Sequence, residues 1–354
     1  MAVVTNRGPG QWQVKVRKKG FPAESRTFTL KADAERWGRQ IEAEMDRGLY
    51  LPRKTAERTT LEAIAVEFET SFAPHHYRGG AWKFKLARLR EKLGKYALAA
   101  LTPSLVAGYR DERLSEPDSR YKHDPDRAPC VSPSTVKGEL DLLSTLMGFA
   151  QKELGIHLPH GNPVLGIRKP STTGGRERRL SSEERKLLLI ECDASKNRWL
   201  RPAVELALET AMRQGEILAL RWEHIDLETG VALIPMSKNG EARAAPLTSE
   251  AVATLKALPR AVGGQVFPIV RMTLYKAFAR AVDRAGIKDF TFHDLRHEAL
   301  SSLAELGDLN VLELASVSGH KTLQVLKRYT HLQAGKLAQK IDTAKRVKAT
   351  GRQA

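Results

Sequence analysis

Six residues in the second half of the chain are of types suited to one reaction, the attack of a protein hydroxyl on a phosphodiester without a metal: Arg213, Lys238, His293, Arg296, His320 and Tyr329. Guanidinium groups neutralise the charge that grows on nonbridging oxygens in such a step. A second arginine, gripping an oxyanion through two N–H groups, reinforces the first. A lysine or histidine protonates the leaving 5′ oxygen, and a tyrosine becomes the covalent partner. A free phenol titrates near pH ~10, so cationic neighbours must favour its phenolate character.

Taken singly, each residue has a plainer reading. Arg213 sits in Glu209-Thr210-Ala211-Met212-Arg213-Gln214-Gly215-Glu216-Ile217-Leu218, which otherwise reads as a buried helix. A guanidinium there needs a partner or an anionic ligand. Glu216, three residues on, shares a helical face with it and could orient it, or the two could form a surface ion pair. Lys238 precedes Asn239-Gly240, a strong hairpin dipeptide, and so stands at a hairpin tip, where a lysine is commonly only solvated. His293 and Arg296 are i,i+3 neighbours facing one way. His293-Asp294-x-x-His297 also approximates the H-E-x-x-H zinc spacing. Asp is one methylene short of Glu as a general base and the arginine would repel a metal, so zinc is set aside. His320 and Tyr329 could each be core residues with a satisfied polar end.

In their order along the chain these residues resemble the tyrosine recombinases (phage integrases). The likeness runs through Arg213 with Gly215-Glu216, Lys238, His293-x-x-Arg296, Gly319-His320 and Tyr329, with 83 residues between the arginines and 9 from His320 to Tyr329. The stretches 208–227, 292–300 and 327–332 look especially similar to shufflon-type DNA invertases. The resemblance implies Arg213 and Arg296 on the scissile phosphate, Tyr329 as nucleophile and Lys238 as general acid. It implies His293 assisting proton transfer, His320 hydrogen-bonding the phosphate and Glu216 supporting the site, with neither cofactor nor metal. Ala211 departs from the family pattern, in which glycine often precedes the first arginine; the chemistry is expected to survive this.

The elements that must position these residues read as a mainly α, multidomain chain. Ser181-Ser182-Glu183-Glu184 opens a helix in capping style, and the apolar run 231–235 pairs with 243–247 across the Asn-Gly turn. Further upstream, 61–72, 82–93, 103–113 and 134–154 carry apolar residues at helical spacing, with 116–129 as an irregular surface loop. This middle resembles the helical (SAM-like) core-binding domain of the family. Residues 11–17 and 25–30 alternate as strands and 32–47 as a helix ending at Gly48. With 13 Lys and Arg against 7 Asp and Glu in residues 1–58, this piece resembles an arm-binding domain, a three-stranded sheet plus helix. Lys15, Arg17, Lys18 and Lys19 are its candidate DNA contacts; a solvated sheet face is the plainer reading. Residues 51–55 and 168–176 read as linkers, the second with Arg176 as a candidate DNA contact. The expected domains are 1–50 (arm-type), 59–168 (core-binding) and 177–354 (catalytic, mixed α with a small β-sheet).

Composition agrees. The 354 residues carry 58 Lys and Arg against 41 Asp and Glu, a net charge of +17 that calls for a polyanionic partner. Two distant cysteines exclude a disulfide framework or zinc ribbon, and no run is apolar enough to span a bilayer or serve as a signal peptide. The expectation is a cytoplasmic, nucleoid-associated integrase of a prophage or mobile element. It would act on double-stranded DNA as a homotetramer, through a 3′-phosphotyrosine and a Holliday junction, with a possible DNA-bending accessory protein or directionality factor and no membrane. The alternatives are an invertase, a type IB topoisomerase, or a non-catalytic DNA-binding protein on the same fold.

Overall fold

The computed structural model describes residues 2–50, 53–121, 127–172, 176, 178–235 and 242–320, and beyond them 322, 324, 326, 327, 329, 338, 339, 341–343 and 345. It divides into two compact units, Met1–Gly174 and Gly175–Ala354.

In the first unit, alternation of apolar and polar residues builds a three-stranded antiparallel sheet from β1 (Ala2–Gly8), β2 (Gln11–Val16) and β3 (Glu24–Phe28) in that order. β1 is a strand that residue alternation alone did not disclose. Val14 and Val16 face helix α1 (Lys31–Asp46) and meet Ala34, Ile41 and Met45, spaced to lie on one helical face. Gly38 permits this approach: a Cβ there would lie 3.0 Å from Ala2 Cβ and 3.1 Å from Val14 Cγ2. Gly48, at φ 67°, follows the end of α1. Period two leaves Lys15 exposed on the opposite side of β2, with Arg17 and Lys19 exposed just beyond its end. Lys18 is instead drawn 2.5 Å from Asp46.

The first linker is shorter than expected, because helix α2 (Arg53–Arg58) occupies part of it. Lys54 is tied to β3, 2.5 Å from Glu24 Oε2 and 2.9 Å from the Ser25 carbonyl. A second core follows, built by α3 (Leu61–Glu67), a π turn (Phe68–Phe72), α4 (Ala73–His76), α5 (Ala81–Leu93), α6 (Pro103–Ser115) and α7 (Pro133–Lys152). Thr60, Thr102 and Ser132 cap α3, α6 and α7 through their hydroxyls. The Arg113–Glu139 pair buried here is held at 2.8 Å, and Tyr109 Oη donates to Glu139 at 2.7 Å, satisfying the carboxylate. Within the expected 116–129 loop, Ser119–Tyr121 forms a 3-10 turn and Pro117 bridges to Cys130.

The second unit opens with α8 (Ser182–Asp193), whose Ser181–Glu184 capping box is in place. α9 (Leu200–Thr210) and α10 (Gln214–Leu218) follow, then the antiparallel sheet β4 (Ile225–Asp226), β5 (Val231–Ile234) and β6 (Arg243–Pro246). α11 (Ser249–Lys256), α12 (Arg271–Arg284), α13 (Phe292–Leu306) and α14 (Val311–Ser318) complete it. One large core joins α8, α9, α11, α12, the sheet and the start of α13, and a smaller one gathers around the middle of α13. Among the described residues no helix is long and apolar enough to cross a membrane.

Candidate active site

The helix expected across 208–218 is broken. α9 stops at Thr210 because Ala211 turns into the left-handed region at φ 51°. Arg213 is therefore extended (φ −74°, ψ 149°) and occupies the N-cap position of α10 rather than a helical face. Glu216, in the first turn of α10, reaches back. Its Oε2 accepts from the Arg213 backbone N–H at 3.0 Å and its Oε1 from Arg213 Nη1 at 2.7 Å. The pair is no surface contact, since Glu216 is only 5% exposed. Arg243, from β6, donates Nη2 to the same carboxylate at 2.9 Å. Burial alone would raise the Glu216 pKa; the Arg213 backbone N–H and the two guanidinium groups outweigh it and hold it below the usual carboxylate range.

α13 supplies the second arginine. A capping box between Thr291 and Asp294 starts the helix, and Arg296 projects inward, 2% exposed. Its Nη1 donates to the Ala211 carbonyl at 2.6 Å and its Nη2 to the Ser318 carbonyl at 2.6 Å and to His320 Nε2 at 3.3 Å. Burial, then the charge of Arg213, lowers its pKa to about 10, which leaves it protonated at neutral pH.

These contacts fix the His320 tautomer. A guanidinium only donates, so Nε2 must present a lone pair and the ring proton sits on Nδ1. Nδ1 lies 2.7 Å from Ser318 Oγ, which in turn donates to the Leu314 carbonyl at 2.7 Å. Burial, then the charges of Arg296 and Arg213, lowers the His320 pKa to about 4, so the ring is neutral at physiological pH. Gly319, which ends α14 at φ 65°, is required twice over: a Cβ there would lie 2.7 Å from Arg243 Cδ. Arg243 Nη1 also donates to the Val317 carbonyl at 2.8 Å.

Tyr329 is 5% exposed and packs with Ala211, Ala299, Leu300, Ala304, Leu314 and Leu326. Its Oη lies 2.8 Å from Nδ1 of His297. His293 is exposed at the start of α13, its ring edge-on to that of His297 at 5.1 Å. Lys238 lies outside the described residues; strands β5 and β6 on either side of it pair from Val231↔Pro246 to Ile234↔Arg243.

The structure thus brings Arg213, Glu216, Arg296 and His320 together, with Tyr329 in the adjoining cluster. His293, one turn before Arg296 on α13, is exposed while Arg296 is buried. Arg176 donates Nε to Asp294 Oδ1 at 3.0 Å and Nη2 to the Asp289 carbonyl at 2.7 Å. Asp294, the carboxylate of the discounted zinc spacing, is fully buried and also accepts from the Thr291 hydroxyl at 2.8 Å. Sequence reasoning missed Arg243 and the contact made by His297. A lone arginine opening a strand and a histidine one residue past Arg296 carry no signal until the fold joins them to Glu216 and Tyr329.

Residues 178–336 match the model of the phage integrase family. A shufflon-specific DNA recombinase of Escherichia coli is 47% identical over 242 residues, covering 68% of this chain and 60% of the relative's length. A putative integrase/recombinase of Haemophilus influenzae is 32% identical over 209 residues, covering 57% of this chain and 67% of the relative. Among solved structures, a lambda integrase dimer bound to a COC′ core site matches with a TM-score of 0.60 at 20% identity, over 92% of this chain and 93% of that one. At that identity the match speaks to the fold.

Proposed function

Because the chain belongs to the phage integrase family, we propose that it is a site-specific tyrosine recombinase, cleaving and rejoining double-stranded DNA through a 3′-phosphotyrosine. The observation that carries this reading is the juxtaposition of Arg213 and Arg296, anchored on Glu216 and on the Ala211 and Ser318 carbonyls, with a neutral His320 against Arg296. Two fixed guanidinium groups in a water-poor site stabilise a phosphorane-like charge without reorganising. Tyr329 is the nucleophile. Lys238 is the general acid for the 5′ oxygen, since His320 holds its Nε2 lone pair toward Arg296 and has no proton to give there. Arg213, Arg296 and His320 hold the phosphate, and two arginines supply the charge that a cation would bring.

The working form is a homotetramer on a Holliday junction, by analogy with lambda integrase, of which such a tetramer is described. Residues 1–50 form an arm-type DNA-binding domain, 59–168 a core-binding domain and 177–354 the catalytic domain. The protein works in the cytoplasm on DNA, with a bending or directionality factor as a further partner. Integration or excision of a mobile element is the favoured outcome, supported by the basic sheet-and-helix piece at residues 2–46. A shufflon-type inversion is the second reading, favoured by the 47% identity to the E. coli recombinase.

The test is a core-site oligonucleotide nicked near the cleavage position. Wild-type protein should form a denaturation-resistant adduct, and Tyr329→Phe should bind the DNA without forming one. An adduct made equally well by Tyr329→Phe moves the nucleophile elsewhere. Paired sites in direct and in inverted orientation then separate strand exchange from relaxation of supercoils, and deletion from inversion.

A further inference from the structure

We infer that His297 accepts the proton of the Tyr329 phenol as that oxygen attacks the phosphate; this rests on the recombinase reading above. Successive residues of a helix point about 100° apart. α13 can therefore direct Arg296 at the Ala211 and Ser318 carbonyls while its neighbour His297 meets Tyr329. The Oη–Nδ1 separation of 2.8 Å is already that of a proton-transfer pair. His293, one helical turn earlier, is exposed and meets the ring of His297 edge-on at 5.1 Å.

The phenol donates when Nδ1 of His297 carries the lone pair and Nε2 the proton. Among the described residues, His293 on α13, His320 beyond the end of α14 and Tyr329 itself are titratable groups that interact with that ring. The uncharged imidazole is the form that a proton acceptor must have. The ring of Tyr329 packs among aliphatic side chains of the small core, which hold it beside α13.

The step balances as follows. The Tyr329 Oη–P bond forms, the P–O5′ bond breaks, the phenol proton passes to His297 Nδ1, and the 5′ oxygen takes its proton from the general acid. On rejoining, the 5′ hydroxyl attacks and gives its proton back to the general acid, the O–P bond to tyrosine breaks, and His297 returns its proton to the departing phenolate oxygen. His297 touches a reacting atom and is in this sense catalytic.

Adduct formation by the full-length protein on the nicked core site tests this, with DNA binding measured alongside to establish folding. His297→Ala and His297→Asn should bind as wild type does and form adduct slower by roughly 100-fold or more, the range for loss of a general base. The wild-type rate should fall as acid protonates an imidazole. In His297→Ala that limb should vanish, and the slowed rate should climb toward the range in which a phenol ionises.

Three results overturn the inference. Asn can hold the phenol by a hydrogen bond but cannot take its proton, so a wild-type rate in His297→Asn reduces the histidine to a positioning role. A faster His297→Ala means that the contact restrains the tyrosine. A slowed His297→Ala that retains the wild-type pH profile places the base elsewhere. If wild-type protein itself forms no adduct, the recombinase reading falls; if it does and both variants equal it, only the proton role falls.

Discussion

Arg296 Nη1 rests 2.6 Å from the carbonyl oxygen of Ala211, a non-glycine residue held at φ 51°. The left-handed turn does two things at once. It ends α9 so that Arg213 leaves the helix to cap α10, and it aims a backbone acceptor at the other arginine. The glycine common at this position in the family has a backbone reason here rather than a packing one, because glycine enters that conformation without steric cost.

Substitution at Ala211 tests this. An L-residue in the left-handed region costs roughly 1–2 kcal/mol, while deleting a buried methyl costs roughly 0.8 kcal/mol. Ala211→Gly should therefore change stability by less than about 1 kcal/mol and retain adduct formation. Ala211→Val meets both the backbone penalty of a β-branched residue and the filled core around it, so it should unfold at clearly lower denaturant and form adduct slowly. Equal stability of the valine variant would show that the turn is not strained.

Glu216 should be the most sensitive supporting residue. Its carboxylate faces the guanidinium groups of Arg213 and Arg243, both largely buried, at 2.7 and 2.9 Å. Glu216→Gln retains volume but leaves two cations unbalanced, and removal of one member of such a buried set costs roughly 3–5 kcal/mol. The variant should lose stability on that order, and its adduct formation should fall with it. The carboxyl is held below its unfolded pKa, so its contribution is present above that pKa and is lost as pH falls through the folded one. Parallel unfolding curves for the two proteins at neutral pH, without displacement, would refute this account.

His320 titrates in the opposite sense to a histidine that gains an acidic partner. Its folded pKa is lowered to about 4, against roughly 6.5 in the unfolded chain. The unfolded state therefore binds more protons between these values, and stability declines as pH falls through that window. Nuclear magnetic resonance of the ring should show it neutral at pH 6, with its proton on Nδ1. A midpoint near 6.5 would mean that Arg296 and burial do not act on it, and His320 would re-enter as a candidate acid beside Lys238.

Much of this was legible in the sequence, for reasons that separate local from non-local information. α5, α6 and α7 announce themselves by apolar spacing, and Ser181 with Glu184 marks the start of α8 through a box closed within four residues. The set from Arg213 to Tyr329 was legible as chemistry because its types and order are unusual together. The break after Thr210 was not, because the residue in the left-handed turn is alanine and the surrounding pattern is that of a continuous helix. The third strand that the resemblance implied, β1, could not be located by alternation, because only Ala2 and Val4 of this edge strand pack on the small core. The link from His297 to Tyr329 spans 32 residues, and no local spacing encodes which of two histidines on α13 meets the phenol.

The basic face of β2 yields the last prediction. Lys15 is exposed on the side of the strand away from Val14 and Val16 and Arg17 is exposed just beyond the strand's end, while the Lys18 ammonium lies 2.5 Å from Asp46. Each phosphate contact contributes about 0.9 to the slope of log K against log salt. On DNA carrying flanking arm-type sites, Lys15→Ala with Arg17→Ala should therefore lower the slope by about 1.8. On an isolated core site the same double variant should leave the slope as it is. Lys18→Ala should change it less than Lys15→Ala, because that ammonium exchanges one anion for another when it reaches a phosphate. The double variant should still form adduct on core sites and recombine full sites poorly. Fluorescence anisotropy titrations at several salt concentrations on the two DNAs measure this directly. An unchanged slope on arm-containing DNA would mean that this face does not touch phosphate, and residues 1–50 would then be a stability or partner-contact module.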